Sequence, residues 1–119
     1  MIHIVDFGMG NLGSIVNMLK KIGAKECTVT SDLDTIAQAD KLILPGVGNF
    51  KRGMTNLRDR GFIEPLQHSV MERGVPILGI CLGMQLLTRF SEEGNENGLG
   101  WIPADTRRFN FAARGYDQL

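Results

Sequence analysis

Residues 79–85 read GICLGMQ, directly behind the apolar run Val75-Pro76-Ile77-Leu78. Cys81 stands between two glycines where a buried strand is due to turn. That is the layout of the G-x-S-x-G nucleophile elbow, with a thiol in place of the hydroxyl. Gly79 and Gly83 give room for a strained strand-to-helix turn, and the partial positive charge at the start of the next helix suits an anionic sulfur. The Leu82 N–H then points at the same spot as the thiol. A lone cysteine near a helix start is more often a small buried residue, and here the flanking glycines weigh towards a nucleophile. Cys27 has no such setting and reads as core.

Two more glycine-bearing segments fall at the ends of strand-like runs. In PGVGNF, residues 45–50, Gly46 and Gly48 flank Val47 and leave peptide N–H groups uncovered by side chains. Such groups can bind an anion or a developing oxyanion, and an ordinary turn is the competing reading. GMGNLG, residues 8–13, matches G-x-G-x-x-G, with Asp32 about where a ribose-binding acid falls after a second strand. Asp32 is equally placed to cap a helix at LDTIAQ. A nucleotide-binding module and a tight turn both stay open. Elbow and PGVG loop together make an acyl-transfer site: thiolate attacks a carbonyl, and N–H groups from both loops stabilise the tetrahedral oxyanion.

The elements that must position these loops alternate. Ile2–Phe7, Cys27–Thr30, Lys41–Leu44 and Val75–Ile80 read as strands, the last apolar enough to be buried on both faces. Leu12, Ile15, Leu19 and Ile22 recur at helical spacing, with Asn11 as N-cap and Gly23 as stop. Ser31 or Asp32 caps a brief helix. Helical stretches run through Met54, Leu57 and Arg58 to Gly61, through Ile63, Leu66 and Val70 to Gly74, and from Met84 to Phe90. TRRFNF (106–111) is strand-like. The order predicts an α/β fold, a doubly wound, mostly parallel sheet, with ligands beyond the carboxyl ends of the strands.

Composition narrows the function. The 119 residues carry 13 Lys+Arg against 13 Asp+Glu, with no basic block, so no nucleic-acid partner is expected. No apolar run reaches membrane-spanning length and the N-terminus lacks a signal-peptide pattern. The two cysteines have no CxxC spacing, so neither zinc nor a disulfide framework is indicated. The expectation is a soluble cytoplasmic protein.

DFGMGNLGS, LILPGVGNF, GICLGMQLL and SEEG, in this order, resemble the class I glutamine amidotransferases, whose nucleophile motif is G-x-C-x-G-x-Q. More narrowly they resemble the glutaminase subunits of imidazole glycerol phosphate synthases, from Met1 to about Phe111. The resemblance implies a flavodoxin-like fold and attack of Cys81 on the side-chain amide of L-glutamine, giving a glutamyl thioester. It implies an oxyanion hole from the N–H groups of Leu82 and Val47, the latter turned inwards. Gly46, Gly48, Gln85 and Glu93 would hold the substrate; for Glu93 a solvated loop acid is the competing reading. No cofactor or metal is implied. Asn11 would face a (β/α)8-barrel cyclase subunit, the partner in a heterodimer that takes up the ammonia for histidine biosynthesis. A relative supplying ammonia for surface-polysaccharide amino sugars fits the same motifs.

One departure stands out. The family's general base is a histidine, helped by a glutamate, far beyond the nucleophile, whereas His3 and His68 both precede Cys81. The segment therefore looks like the N-terminal portion of a longer protein. It should present the thiol without the base, leave a sheet edge or apolar surface uncovered, and be aggregation-prone or partly disordered near AARGYDQL.

Overall fold

The computed structural model describes residues 1–24 and 26–109. Strands β1 (Ile2–Val5), β2 (Cys27–Thr30), β3 (Lys41–Gly46) and β4 (Ile77–Cys81) form a parallel sheet in the order β2-β1-β3-β4. The chain winds outwards from β1 to β2 through α1 (Leu12–Lys21). It then crosses back past β1 to β3 through α2 (Leu33–Ala37). The winding thus reverses between β1 and β3, and the crevice at their carboxyl ends is where such sheets take ligands. The GMGNLG and PGVG segments both emerge there.

Strand alternation puts Val5, Leu42 and Leu44 on one face. There they pack with Ile36 of α2, Phe50, Met54 and Leu57 of α3 (Phe50–Asp59), Leu66 of α4 (Ile63–Gln67), and Leu82 and Leu86 of α5 (Leu82–Leu86). Ile4 and Ile43 are buried on the other face, while α1, with none of its own residues buried, lies by β2. The caps follow sequence logic: Asn11 accepts from Ser14 N and Asp32 from Thr35 N. Gly23, at φ +92, follows Ile22, the C-cap of α1. A π-helical turn, His68–Glu72, continues α4.

Four expectations fail. β4 is not buried on both faces: among the described residues it pairs only with β3, and Leu78 is 57% exposed. The helix expected to reach Phe90 ends at Leu86, and the chain enters β5 (Thr88–Ser91), which pairs antiparallel with β6 (Glu96–Asn97) and parallel with β7 (Ile102–Thr106). Long-range bonds override the local period there: Leu86 O accepts from Leu99 N, and Thr88 O from Gly100 N. Finally, the strand is IPADT, not TRRFNF. Only Thr106 is shared and Arg107–Phe109 is irregular; Asn110, Phe111 and the AARGYDQL tail lie outside the described residues. The first strand also stops at Val5, short of Phe7. Among the described residues no helix is long and apolar enough to cross a membrane.

Candidate active site

Cys81 closes β4 and opens α5 at φ 56, ψ −118, a conformation L residues rarely adopt. Holding it there costs roughly 1–3 kcal/mol, which the surrounding packing must offset. Two glycines make the turn possible by having no side chain. A Cβ on Gly83 would lie 1.7 Å from Leu44 O, and one on Gly79 would lie 2.6 Å from Met84 Cα. The helix start is thus pressed onto both β3 and β4, and buried Leu82 and Leu86 fix it from below. The thiol stays free and exposed, while Cys27 is free and half-buried on β2.

Gly46 is the register partner of Cys81 across β3–β4, and a Cβ on it would meet Gly83 N at 3.1 Å. The structure therefore brings Cys81, Leu82 and Gly46 together. Gln85 follows one helical turn beyond Cys81 and is half-buried. With Glu93, Ser91, Thr106, Arg107 and Arg108 it lines a cleft of about 520 Å³. Cys81 and Val47 are not among that cleft's described lining residues. Glu93 is not simply a solvated acid: its Oε1 accepts the Phe50 N–H at 2.9 Å. With Asn49, which accepts from Arg52 N at 3.0 Å, it satisfies two of the donors at the start of α3.

Val47 N–H has a partner of its own. It is not turned towards Cys81 but donates to the carbonyl of Met9, across the crevice between β3 and β1. Val47 is 61% exposed, and Gly48 beside it has φ +125. The Met9 carbonyl is the participant that sequence reading missed. A backbone acceptor has no residue-type signal, and only the juxtaposition of two loops reveals it.

Neither upstream histidine reaches the thiol. His3 is in register with Leu42, itself paired with Ile77. That places His3 four residues, about 13 Å along the strand direction, from the level of Cys81, and two strands away. Its buried Nδ1 has no partner among the described residues. His68 lies on the turn leading to the opposite end of β4, with Nδ1 engaged by Glu72. Asp32 is used as a cap: hydrogen bonds from Thr35 Oγ1 (2.6 Å) and Thr35 N (3.0 Å) hold its carboxyl below the usual 3.8. The acid required by the nucleotide reading is thus occupied. Asn11 is exposed at the start of α1. Among the described residues no group of His, Cys, Asp and Glu could hold a metal ion.

The family model for glutamine amidotransferase class-I matches residues 3–106. The chain belongs to the class-I glutamine amidotransferases. One relative, imidazole glycerol phosphate synthase subunit HisH 2 of Methanococcus maripaludis, is 54% identical over 112 residues, covering 94% of this chain and 55% of that protein. The subunit HisH 2 of Pseudomonas aeruginosa is 50% identical over 109 residues, covering 92% and 54%. HisH of Leptospira interrogans is 40% identical over 111 residues, covering 93% and 54%. The chain thus spans about half the length of the curated relatives it matches. A crystal structure of a glutamine amidotransferase superposes with TM-score 0.74 at 21% identity, over 90% of this chain and 56% of that one. That likeness supports the amidotransferase α/β fold with its mostly parallel sheet.

Proposed function

We propose that residues 1–119 are the amino-terminal part of a glutaminase domain that hydrolyses L-glutamine through Cys81. Its ammonia passes to a (β/α)8-barrel cyclase subunit that forms imidazole glycerol phosphate for histidine biosynthesis. The observation that carries this reading is the Cys81 backbone: an exposed thiol in a strained conformation, at the end of a parallel strand and beside a glycine loop. Similarity to proteins named as imidazole glycerol phosphate synthase subunits supports the pathway.

In this reading the Cys81 sulfur attacks the glutamine side-chain carbon, forming a C–S bond and an oxyanion. Leu82 N–H donates to that oxygen, and Val47 N–H joins it once its peptide leaves Met9 and turns inwards. The C–N bond then breaks and the nitrogen takes a proton and leaves as ammonia. Water hydrolyses the thioester to glutamate and frees the thiol. The resemblance implies a histidine on a later segment as the proton carrier; His3 and His68 lie away from the sulfur. Gly46, Gly48, Gln85 and Glu93 hold the glutamine, and Asn11, exposed at the crevice rim, faces the cyclase.

The test uses the full-length protein that contains this segment, purified with its cyclase. Glutamine should support imidazole glycerol phosphate formation, and Cys81→Ala should abolish that while leaving formation from added ammonium intact. Absence of glutamine-dependent ammonia release in the wild type would sink the proposal. The names of two relatives carry the numeral 2, and a second reading is the ammonia-supplying paralogue of surface-polysaccharide amino-sugar synthesis. Active glutaminase with no imidazole glycerol phosphate formed would favour it.

A further inference from the structure

We infer that Asn56 is a positioning residue for the Val47 peptide, acting through the segment after β1; the functional sense of this rests on Val47 as an oxyanion donor. Three consecutive residues of that segment are held. Asn56 Nδ2, on α3, donates to the Phe7 carbonyl at 3.2 Å, a part-buried bond between residues 49 apart in sequence. One turn along the same helix face, Arg60 lies against Gly8, where a methyl would meet its Nη1 at 2.9 Å. The next carbonyl, that of Met9, accepts the Val47 N–H. Met9 Cε also lies 3.1 Å from where a Cβ on Gly48 would sit.

The other side of the Met9–Val47 bond is tied to the same helix. Asn49 directly follows Gly48 and caps α3, and Glu93 caps Phe50 N. Phe50, Met54 and Leu57 anchor α3 in the core. α3 therefore fixes the donor loop by its first turn and the acceptor loop by Asn56 and Arg60 near its end. A side-chain amide that holds Phe7 sets where the Met9 carbonyl can be, and hence how firmly the Val47 peptide is kept from turning.

The test is Asn56→Asp in the full-length protein, a near-isosteric change that replaces the amide donor with a carboxylate facing a carbonyl. Amide hydrogen exchange read by NMR should quicken at Val47 by about tenfold relative to Leu42–Leu44 of β3, the scale of one lost part-buried hydrogen bond. Glutamine turnover number should rise severalfold with KM unchanged, because the competing acceptor is weakened. Arg60→Met, at an exposed position, should quicken the same amide by less. Exchange at Val47 unchanged, or raised uniformly along β3, would overturn the inference. Selective quickening at Val47 with an unaltered turnover number would support the positioning and overturn the donor role.

Discussion

The two glycine-bearing corners of the crevice are built on opposite principles. At the β4–α5 turn, backbone packs directly on backbone: Gly83 has no room for even a methyl against Leu44 O, and Cys81 is pinned in a strained conformation. At the β3–α3 loop, Val47 is exposed and its peptide orientation hangs on a hydrogen bond to Met9. Leu82 N–H belongs to the packed corner and Val47 N–H to the adjustable one. A nucleophile must be placed before substrate arrives. A donor needed only in the transition state can be held elsewhere until then, at the cost of breaking its resting bond. The difference predicts that, the thiol itself apart, the first corner answers mutation in stability and the second in rate.

The largest effect concerns the thiol. In the full-length protein Cys81→Ser should reduce glutamine hydrolysis to background, and a glutamine-like electrophile should label Cys81 while sparing half-buried Cys27. Equal labelling of the two sites by mass spectrometry would break the assignment. The 119-residue chain itself should release no more ammonia than its Cys81→Ala variant, since His3 and His68 are both remote from the sulfur. Release above that control would mean that one of them serves as base.

Next comes the packed corner. Gly83→Ala places a methyl on the Leu44 carbonyl and should destabilise the fold by more than about 3 kcal/mol in chemical denaturation, the range of a core clash that cannot relax. A loss below 1 kcal/mol or so would show that the turn yields, and the comparison would fail. The adjustable corner should respond differently. Gly48→Val introduces a β-branched residue at φ +125 and should lower turnover by about 3 kcal/mol of activation free energy, the scale of one lost oxyanion donor. An unchanged turnover number in a folded Gly48→Val protein would remove the loop from the mechanism.

The smallest effect tests whether Asp32 is only a cap. Its carboxyl is held below the usual value, first by the Thr35 hydroxyl and then by the Thr35 N–H. A lowered carboxyl contributes stability that is present above the unfolded-state value, 3.8, and lost as pH falls through the lower folded-state value. The melting temperature of Asp32→Asn should therefore fall below wild type at neutral pH and converge with it in acid. A difference that persists in acid would give Asp32 another role.

Much of the architecture was legible because local signals agreed with the tertiary outcome. Asn11, Asp32 and Gly23 mark helix ends whose donors and turns need those residue types, and β1, β3 and β4 follow runs rich in apolar residues. The stretch from Leu87 to Thr106 was not legible. Its strands are held by bonds such as Leu99 N to Leu86 O, and Gly98 is needed because Thr88 O sits 2.2 Å from where its Cβ would be. Helical spacing of apolar residues carries no trace of such contacts. The exposed face of β4 was likewise hidden, since an apolar strand reads alike with one face covered or two.

By itself the sequence determined the tight turn at Cys81. Small residues at 79 and 83 around a cysteine leave few backbones besides a tight strand-to-helix turn, and that turn aims the thiol. Only the tertiary structure decided the orientation of the Val47 peptide. The peptide that carries the Val47 N–H begins at Gly46, which has no side chain to fix its direction, so that direction is set by the acceptor near it. That acceptor, the Met9 carbonyl, is brought there by the reversal of winding between β1 and β3 and by the grip of α3 on both loops.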